Sequence, residues 1–362
     1  MKRNVYCVIM AGGVGSRFWP ESREQRPKQF LDILGVGKTF LRQTYERFLP
    51  VVPPENFLVV TGERYRDLVA EQIPELRPAQ ILGEPLGRNT APCIAYAAFR
   101  LRATDPDSVM VITPADHLIT GEGEFVRALE ESIAFADSHD AMMTIGITPT
   151  RPDTGYGYIQ IEERGVGAAG AGICKVRTFT EKPNAELAKI FAESGEFLWN
   201  SGIFVWRTEV ILHALEEHLS EVYSLFAARA EDFGTPREAE AVRLIYPESR
   251  NISIDFGVLE RAANVHVRCS DLGWSDVGTW NSLHAILPRD DRGNAVTGNV
   301  RLGAVSGSLV RLPRGKLAVL EGLTDFVVVD THDVLLVWPR GDEEGLKKVI
   351  TALRFEDGEE FL

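Results

Sequence analysis

The sequence predicts an α/β protein with a Rossmann-like sheet, mixed but mostly parallel and flanked by helices, followed by a small β-rich domain. The first half alternates short apolar runs with segments whose apolar residues recur at helical spacing, which is typical of a parallel sheet covered by helices. A glycine-rich turn follows the first apolar run. After about residue 290 the helical spacing fades and short strands recur. We therefore expect one domain over residues 1–288 and a second over residues 289–362.

The predicted elements alternate along the first domain in the order strand, helix, strand. The predicted strands are Val5–Ile9, Phe57–Thr61, Gln80–Leu82, Ser108–Thr113, Met142–Ile147, Tyr158–Ile161, Lys175–Thr180 and Ser201–Trp206. The predicted helices are Phe40–Leu49, Arg64–Ile73, Ala91–Ala103, Phe125–Ala136, 184–194 and 208–230, with Thr90 as an expected N-cap. Ligands of such sheets bind at the carboxyl ends of the strands, so the turns there are the first places to search for a site.

The tail contains five short strand-like runs separated by Gly, Asp or Pro at near-regular spacing. They are Val300–Leu302, Ser308–Leu312, Leu317–Leu320, Phe326–Asp330 and Val334–Trp338. This near-regular pattern of short strands indicates a small β-solenoid or a β-sandwich. Glu343–Leu353 is expected to close the chain as a helix.

Composition excludes several classes of protein. The 362 residues are 44% hydrophobic and 25% charged, as in a folded globular enzyme. A net charge of −13 argues against nucleic-acid and anionic-membrane partners. No apolar run approaches the ~20 residues that span a bilayer. The four cysteines form no C-x-x-C pair, which argues against a zinc site or a disulfide framework. We expect a cytoplasmic protein.

The turn after the first strand is the strongest signal of a ligand. Glycines at 12, 13 and 15 leave the backbone bare, and successive N–H groups in such a loop can bind an anion. Arg17 and Lys28 add positive charge, and residues 14–28 carry four cations against two carboxylates in an acidic chain. The run matches neither the P-loop nor the dinucleotide fingerprint, because no Lys follows the glycines and Phe18 replaces the third glycine. A plain structural turn is the alternative to a polyphosphate site.

Two aspartates stand in tight loops elsewhere in the sequence. Asp116 lies in Pro-Ala-Asp-His directly after a strand, and Asp276 lies in a segment with two glycines and two tryptophans. Mg²⁺ is commonly held by one or two carboxylates together with substrate phosphates and water. Each aspartate taken alone is more typical of a cap or a turn. His117 is expected to make a structural hydrogen bond, and no Ser/His/Asp or Cys/His pairing favours acyl transfer.

Three further segments, Thr180–Pro183, Trp199–Gly202 and the glycine-rich Asp153–Tyr158, indicate a site for a phosphorylated sugar. Lys182 stands at a stiff strand end before Pro183, where it is suited to a phosphate monoester, and Glu181 is suited to sugar hydroxyls. Asn200, in Trp-Asn-Ser-Gly, is a third candidate for the same sugar. A solvated Glu–Lys pair and a simple hairpin around Gly157 are the alternatives.

Taken together, these motifs resemble the mannose-1-phosphate guanylyltransferases, a branch of the sugar nucleotidyltransferases. The resemblance runs from residue 5 to residue 285 with the motifs in the order that the family has. The matching segments are Ala11-Gly-Gly-Val-Gly-Ser-Arg17, Arg26-Pro-Lys-Gln-Phe30, Glu84-Pro-Leu-Gly-Arg-Asn-Thr-Ala-Pro92, Pro114-Ala-Asp-His117, Thr180-Glu-Lys-Pro183, Trp199-Asn-Ser-Gly-Ile-Phe204, Ser253-Ile-Asp-Phe256 and Trp274-Ser-Asp-Val-Gly-Thr-Trp280. The tail resembles the short left-handed β-helix of the single-function members.

The resemblance implies that GTP and mannose 1-phosphate react to GDP-mannose and pyrophosphate, with Mg²⁺ as cofactor. It implies catalytic roles for Arg17, Lys28, Asp116 and Asp276, of which the two aspartates would bind the metal. It places the nucleotide on Gly12, Gly13, Gly15, Ser16, Glu84, Asn89 and Thr90, and the sugar phosphate on Gly157, Glu181, Lys182 and Asn200.

Three questions stay open at this point. The substrate pair can differ, with glucose 1-phosphate in place of mannose 1-phosphate or a thymidine or uridine nucleotide in place of GTP. A catalytically silent sensor of nucleotide sugars is the alternative from another class, although such a protein has little need of metal ligands. Unpaired strand edges in the tail favour association, so a homodimer is the expected oligomer.

Overall fold

The computed structural model describes residues 3–162, 172–355 and 358–362. The chain divides into two compact units. Unit A comprises Met1–Gly12, Leu41–Ala115 and Ile119–Trp274. Unit B comprises Gly13–Phe40, Asp116–Leu118 and Ser275–Leu362, so the glycine-rich turn is split between the two units after Gly12.

Seventeen strands and ten α-helices are present in the described residues. The strands are β1 Val5–Ala11, β2 Phe57–Gly62, β3 Ile81–Glu84, β4 Val109–Pro114, β5 Leu118–Ile119, β6 Met142–Ile147, β7 Tyr158–Ile161, β8 Ile173–Thr180, β9 Phe197–Arg207, β10 Val265–Ser270, β11 Trp274–Ser275, β12 Ala295–Thr297, β13 Asn299–Leu302, β14 Leu309–Arg311, β15 Leu317–Leu320, β16 Phe326–Asp330 and β17 Leu335–Pro339. The helices are α1 Phe40–Phe48, α2 Arg66–Gln72, α3 Thr90–Thr104, α4 Glu122–Ser138, α5 Ala185–Ser194, α6 Thr208–His218, α7 Ser220–Ala227, α8 Glu238–Glu248, α9 Trp280–Ile286 and α10 Glu343–Leu353.

Unit A is built on a nine-stranded sheet in the order β3-β2-β1-β4-β9-β6-β10-β8-β7. Strands β3, β2, β1 and β4 pair in parallel, as do β6 and β10. Strand β9 pairs antiparallel with β4, β6 and β7, and β8 pairs antiparallel with β7 and β10. The predicted Rossmann-like α/β class is confirmed, and the sheet is mixed: seven of its nine strands run in one direction, and β8 and β9 run in the other. Apolar spacing identifies strands without fixing the direction of their neighbours.

The register of the parallel strands brings two site residues to one edge of unit A. Cys7 of β1 lies between Phe57 and Val111 on the flanking strands, and this core is fully buried. Because β1 ends at Ala11 and β3 ends at Glu84, Gly12 and Glu84 both stand at the carboxyl ends of parallel strands. Such ends are where open α/β sheets bind their ligands.

Unit B combines the glycine-rich turn with the β-rich tail. Strands β12, β14 and β16 pair in parallel, β13 pairs in parallel with β15, and β17 returns antiparallel against β16. Two 3₁₀ turns, Ser16–Phe18 and Lys28–Phe30, belong to the same unit. Phe18 and Trp280 pack edge to face with ring centroids 4.8 Å apart, and both are buried. The left-handed β-helix and the boundary at residue 288 stay predictions.

Across the described residues, no helix has both the length and the apolar character required to cross a bilayer.

Candidate functional site

The glycine-rich turn enters unit B as a tight backbone loop. Gly15 has φ 67°, a left-handed conformation that favours glycine. A Cβ built on Gly15 would lie 2.6 Å from Cβ of Lys28, so a side chain there would displace the lysine. No atom lies within 4 Å of a Cβ built on Gly13, and Ser16 and Arg17 are exposed at the start of the first 3₁₀ turn. The loop therefore presents backbone, a hydroxyl and a guanidinium to solvent.

Lys28 is nearly buried, with 3% of its surface exposed. Its ammonium lies over two aromatic rings, with Nζ 5.5 Å from the ring centroid of Phe18 and 5.0 Å from that of Phe40. The ammonium donates to Oδ2 of Asp116 at 2.9 Å, to the main-chain oxygen of Asp116 at 3.0 Å and to the main-chain oxygen of Asp276 at 2.8 Å. One lysine thus joins the two acidic loops that the sequence singles out.

The carboxyl of Asp116 is held as an anion. Burial raises the pKa of Asp116, but the charge of Lys28 and the nearby imidazole of His117 more than offset burial and hold that pKa below its usual range. One third of the Asp116 side chain stays exposed, and its Oδ1 lies 4.0 Å from Nε2 of His117. The structural hydrogen bond expected of His117 stays a prediction.

The carboxyl of Asp276 is oriented by its own loop. Its Oδ1 accepts the N–H of Gly278 at 3.0 Å, and a Cβ built on Gly278 would lie 2.5 Å from Oδ2. Val277, between them, has φ 43°, which is a strained conformation for a β-branched residue. Strain of this kind persists where the surrounding structure requires it, and functional loops are common sites.

Two carboxyl groups of unit B, those of Asp116 and Asp276, are of the chemical type that could take part in holding a divalent cation. Mg²⁺ and similar ions prefer hard oxygen ligands such as carboxylates. Among the described residues, no group of three or more His, Cys, Asp or Glu side chains could hold a metal by itself. Two carboxylates suit an ion that also binds phosphates and water, as Mg²⁺ does in phosphoryl-transfer sites.

In unit A, Glu84 is a buried carboxyl at the end of β3, with 7% of its surface exposed. Its Oε1 accepts a hydrogen bond from the phenol of Tyr246 at 2.9 Å. A Cβ built on Gly12 would lie 3.2 Å from its Oε2, so the second oxygen lies against the start of the glycine-rich turn. Burial raises the pKa of Glu84 to about 7, although the hydrogen bond from Tyr246 lowers it.

The start of α3 differs from the sequence prediction. Thr90 is expected to be the N-cap, but the helix begins at Thr90 and Asn89 is the N-cap, with its side chain accepting the N–H of Thr90 at 2.9 Å. Asn89 has φ 68°, which asparagine tolerates better than most residues. The hydroxyl of Thr90 instead accepts the N–H of Ile254 at 2.8 Å, so it holds the chain next to Asp255.

The residues predicted to bind the sugar phosphate converge in unit A. The N–H of Asn200 donates to the carbonyl of Gly157 at 2.9 Å. A Cβ built on Gly157 would lie 2.4 Å from Oε2 of Glu181, so glycine lets that carboxylate approach the backbone. Lys182 forms an ion pair with Glu181, has φ 47° and leaves 57% of its side chain exposed. The strand end therefore presents an exposed cation beside a carboxylate and an amide.

Asp255 belongs to the same cluster and was not assigned a role from the sequence. Its Oδ1 accepts a hydrogen bond from Nδ2 of Asn200 at 2.8 Å. Burial, and then the negative charge of Glu181, raise the pKa of Asp255 to about 6. The motif Ser253-Ile-Asp-Phe256 carried the resemblance, but only the fold reveals that this aspartate lies beside Asn200.

Comparison with known proteins identifies relatives along nearly the whole chain. The family model described as Nucleotidyl transferase matches residues 6–292. Mannose-1-phosphate guanylyltransferase of Escherichia coli strain K12 is 37% identical over 358 residues, which are 97% of this chain and 73% of that protein. Mannose-1-phosphate guanylyltransferase ManC of Salmonella typhimurium is 38% identical over 360 residues, with the same shares. The chain thus spans about three quarters of the length of these relatives.

A solved structure resembles this one over almost the full length of both chains. The crystal structure from Thermus thermophilus, described as a mannose-1-phosphate geranyltransferase, superposes with a TM-score of 0.86. It is 30% identical in sequence and covers 97% of this chain and 99% of its own.

Proposed function

The chain belongs to the nucleotidyl transferase family, in its mannose-1-phosphate guanylyltransferase branch, and we propose that it transfers GMP from GTP to mannose 1-phosphate. A phosphate oxygen of mannose 1-phosphate attacks the α-phosphorus of GTP. The bond between that phosphorus and the oxygen shared with the β-phosphate breaks, and the electron pair leaves with pyrophosphate. GDP-mannose is the other product.

The observation that carries the proposal is the placement of Lys28 between Asp116 and Asp276 in the unit that also contains Gly13, Gly15 and Arg17. The attacking phosphate oxygen is already ionised at neutral pH, so the reaction needs no general base. Its main barrier is electrostatic, since two polyanions meet and charge moves onto the leaving group. Groups that are fixed in advance and complement this charge supply most of the acceleration.

Within unit B, we assign each group its part in handling the triphosphate. Arg17, which is exposed, contacts the phosphates directly together with the N–H groups of Gly13, Gly15 and Ser16. Lys28 adds positive charge to the site and fixes the acidic loops, because its ammonium donates to oxygens of both. Asp116 and Asp276 would hold a divalent cation, which we propose to be Mg²⁺. When bound, such an ion stabilises charge on the phosphate oxygens.

Unit A supplies the groups that select the substrates. Gly12, Glu84, Asn89 and Thr90 contact the guanosine of GTP and of GDP-mannose. Lys182 pairs with the phosphate of mannose 1-phosphate, and Gly157, Glu181 and Asn200 surround the sugar ring. The exposed ammonium of Lys182 and the adjoining carboxylate of Glu181 support this division, because a phosphate monoester needs a cation and hydroxyl groups need acceptors.

For the tail, we propose a short left-handed β-helix and association into a homodimer. Two features support this proposal. Short strands of the tail pair in parallel, and apolar side chains are exposed on β15 and β17. Leu317 is 57% and Val319 72% exposed on β15, and Leu335 is 63% exposed on β17. Light scattering coupled to size exclusion tests the dimer, which is expected to dissociate in the variant Val319→Lys.

A release assay for pyrophosphate tests the proposed reaction. The purified chain is incubated with each of GTP, ATP, UTP and dTTP against mannose 1-phosphate and glucose 1-phosphate, with and without Mg²⁺. We expect the highest kcat/KM for GTP with mannose 1-phosphate and no turnover without a divalent cation. Higher kcat/KM with dTTP or UTP, or with glucose 1-phosphate, would reassign the substrates. Binding of GDP-mannose without any turnover would favour a silent sensor.

A further inference from the structure

Tyr246 stands in the last turn of α8, 162 positions away from Glu84 in sequence, and its side chain is fully buried. Its hydroxyl lies 2.9 Å from Oε1 of Glu84 and 3.4 Å from the carbonyl oxygen of Pro92. The shorter distance and the stronger acceptor both favour the carboxyl as the partner of the phenol proton. The phenol therefore fixes the position of one of the two carboxyl oxygens, Oε1, by a hydrogen bond.

The other oxygen of Glu84, Oε2, lies beside Gly12. A Cβ built on Gly12 would lie 3.2 Å from Oε2, so the missing side chain lets the oxygen keep this position without a shift. The carboxyl is thereby divided, with Oε1 held by α8 and Oε2 placed where we have put the nucleotide.

Guanine presents two donors side by side on its Watson–Crick edge, the N1–H and the N2 amino group, whereas adenine presents an acceptor at N1. The remaining oxygen of an ionised Glu84, with its two lone pairs, can accept from these donors and repels the acceptor of adenine. A protonated carboxyl has one acceptor fewer and distinguishes guanine from adenine less well. Recognition by Glu84 thus requires a fixed orientation and a negative charge.

We propose that Tyr246 is a positioning residue for base selection: its phenol orients Glu84 and stabilises its anion, so that the binding of GTP is linked to the loss of a proton from this carboxyl. The inference rests on the proposed function and adds to it the way in which one site distinguishes guanine from other bases. Tyr246 does not touch the nucleotide and acts through Glu84.

The surroundings of Glu84 agree with this assignment. Its neighbours that titrate are the phenol of Tyr246 from α8 and the thiol of Cys93 from α3, while Glu63 and Arg66 lie against Gly83, the preceding residue. Burial, followed by the charge of Glu84, raises the pKa of Cys93 well above its usual range, so this thiol stays neutral. Because the pKa of Glu84 is about 7, a modest change at Tyr246 alters the charge of the carboxyl near neutral pH.

The experiment compares Tyr246→Phe with the wild type in steady-state assays with GTP, ITP and ATP between about pH 6 and pH 9. ITP lacks the N2 amino group and so reports on one of the two donors. For the wild type, we expect the KM for GTP to rise as the pH falls below about 7, because Glu84 becomes protonated.

In Tyr246→Phe, the pKa of Glu84 rises further, so we expect the KM for GTP to increase about tenfold near pH 7 and the preference for GTP over ITP to shrink. The difference in the KM for GTP between the variant and the wild type should become smaller as the pH approaches 9. The kcat at saturating GTP and the KM for mannose 1-phosphate should stay near the wild-type values. A purely structural role would raise the KM for GTP equally at every pH.

Tyr96→Phe is the matched control, since Tyr96 is another buried tyrosine of unit A whose phenol donates to a carboxylate, Oε1 of Glu238, at 2.9 Å. It removes the same kind of hydrogen bond from the same core and should leave base selection unchanged. An unchanged or pH-independent KM for GTP in Tyr246→Phe overturns the inference while the proposed function stands. If the wild type turns over no GTP, the proposed function itself has failed.

Discussion

The ammonium of Lys28 and the carboxylate of Asp116 form an ion pair with Nζ 2.9 Å from Oδ2, in which the lysine is nearly buried and the aspartate is one third exposed. The same ammonium reaches the main chain of Asp276. An internal lysine that joins two loops from distant parts of the sequence fixes the loops more firmly than a surface pair does, because solvent screens it less. The acidic groups are therefore in place before any ligand arrives.

Replacing Lys28 by methionine tests this link while keeping the aliphatic stem. We expect kcat to fall by a factor on the order of 10² because the acidic loops lose their common donor. The free energy of unfolding should fall by about 2 kcal/mol, less than for a fully buried pair because Asp116 stays partly exposed. Arg311→Met is the control: it breaks the ion pair of Arg311 with Glu21 in the same unit and should cost stability without changing kcat. Wild-type kcat in Lys28→Met would remove the lysine from the catalytic machinery.

Asp276→Asn keeps the shape of the side chain and removes its charge. The hydrogen bond from Gly278 to Oδ1 survives, so the loop should keep its conformation. We expect kcat to fall by a factor on the order of 10²–10³, with little change in either KM, because the lost charge matters most in the transition state. Kinetics at saturating Mg²⁺ measure this effect.

Asp290→Asn provides a control of the same local geometry. Oδ1 of Asp290 accepts the N–H of Arg292, also two residues ahead, and the group lies in the same unit. Its replacement should leave kcat unchanged. Equal losses in both variants would mean that Asp276 only shapes its turn.

Asp255 offers a test in which stability and activity change in opposite directions. Its folded pKa of about 6 lies above the ordinary value of ~3.9, so stability falls as the pH rises from about 4 to about 6 and stays lower above that range. Asp255→Asn should raise the free energy of unfolding by about 2 kcal/mol near pH 8 and leave it unchanged near pH 4. Urea unfolding at the two pH values measures this, and a loss of stability near pH 8 would contradict it.

The same substitution should weaken the sugar site. If Asp255 orients Asn200 through their charge-assisted hydrogen bond, the neutral acceptor in Asp255→Asn weakens that bond, so the KM for mannose 1-phosphate should rise about fivefold while the KM for GTP stays constant. A stabilising change that costs activity is the pattern expected of a functional residue.

Gly157→Ala tests whether the position of Glu181 matters. The added methyl group would lie 2.4 Å from Oε2 of Glu181, so the carboxylate must move. We expect the KM for mannose 1-phosphate to rise about tenfold, as for the loss of a hydrogen bond to a charged group. Gly123→Ala, where an added Cβ meets no atom within 4 Å, is the matched control. An unchanged KM in Gly157→Ala would place Glu181 outside the sugar site.

Local sequence features predict most of the elements, because apolar spacing reports which face of a segment is buried. Tyr158–Ile161, Leu317–Leu320 and Glu343–Leu353 have the predicted bounds. The direction of β9 escapes such reasoning, since it depends on which strands it lies between. The N-cap at Asn89 was missed for a related reason: Thr90 is used by Ile254, a partner that lies far along the chain.

In the candidate site too, the sequence identifies individual residues, whereas the contacts between them depend on the fold. Motifs identify Asp116 and Asp276, but their common contact with Lys28 is a property of the fold. Tyr246 belongs to none of the motifs, and its proposed role depends on a hydrogen bond to Glu84, which lies 162 positions away in the sequence. Residues that act by holding other residues leave little trace in a single sequence.

Transfer of an isotope label tests the central claim most directly. Mannose 1-phosphate with ¹⁸O at its non-bridging phosphate oxygens is converted with GTP and Mg²⁺, and the products are examined by ³¹P NMR for isotope shifts. We predict that ¹⁸O appears in the oxygen that bridges the two phosphorus atoms of GDP-mannose, while pyrophosphate stays unlabelled. Label in pyrophosphate, or a GDP-mannose whose bridging oxygen comes from GTP, would contradict attack by the sugar phosphate on the α-phosphorus.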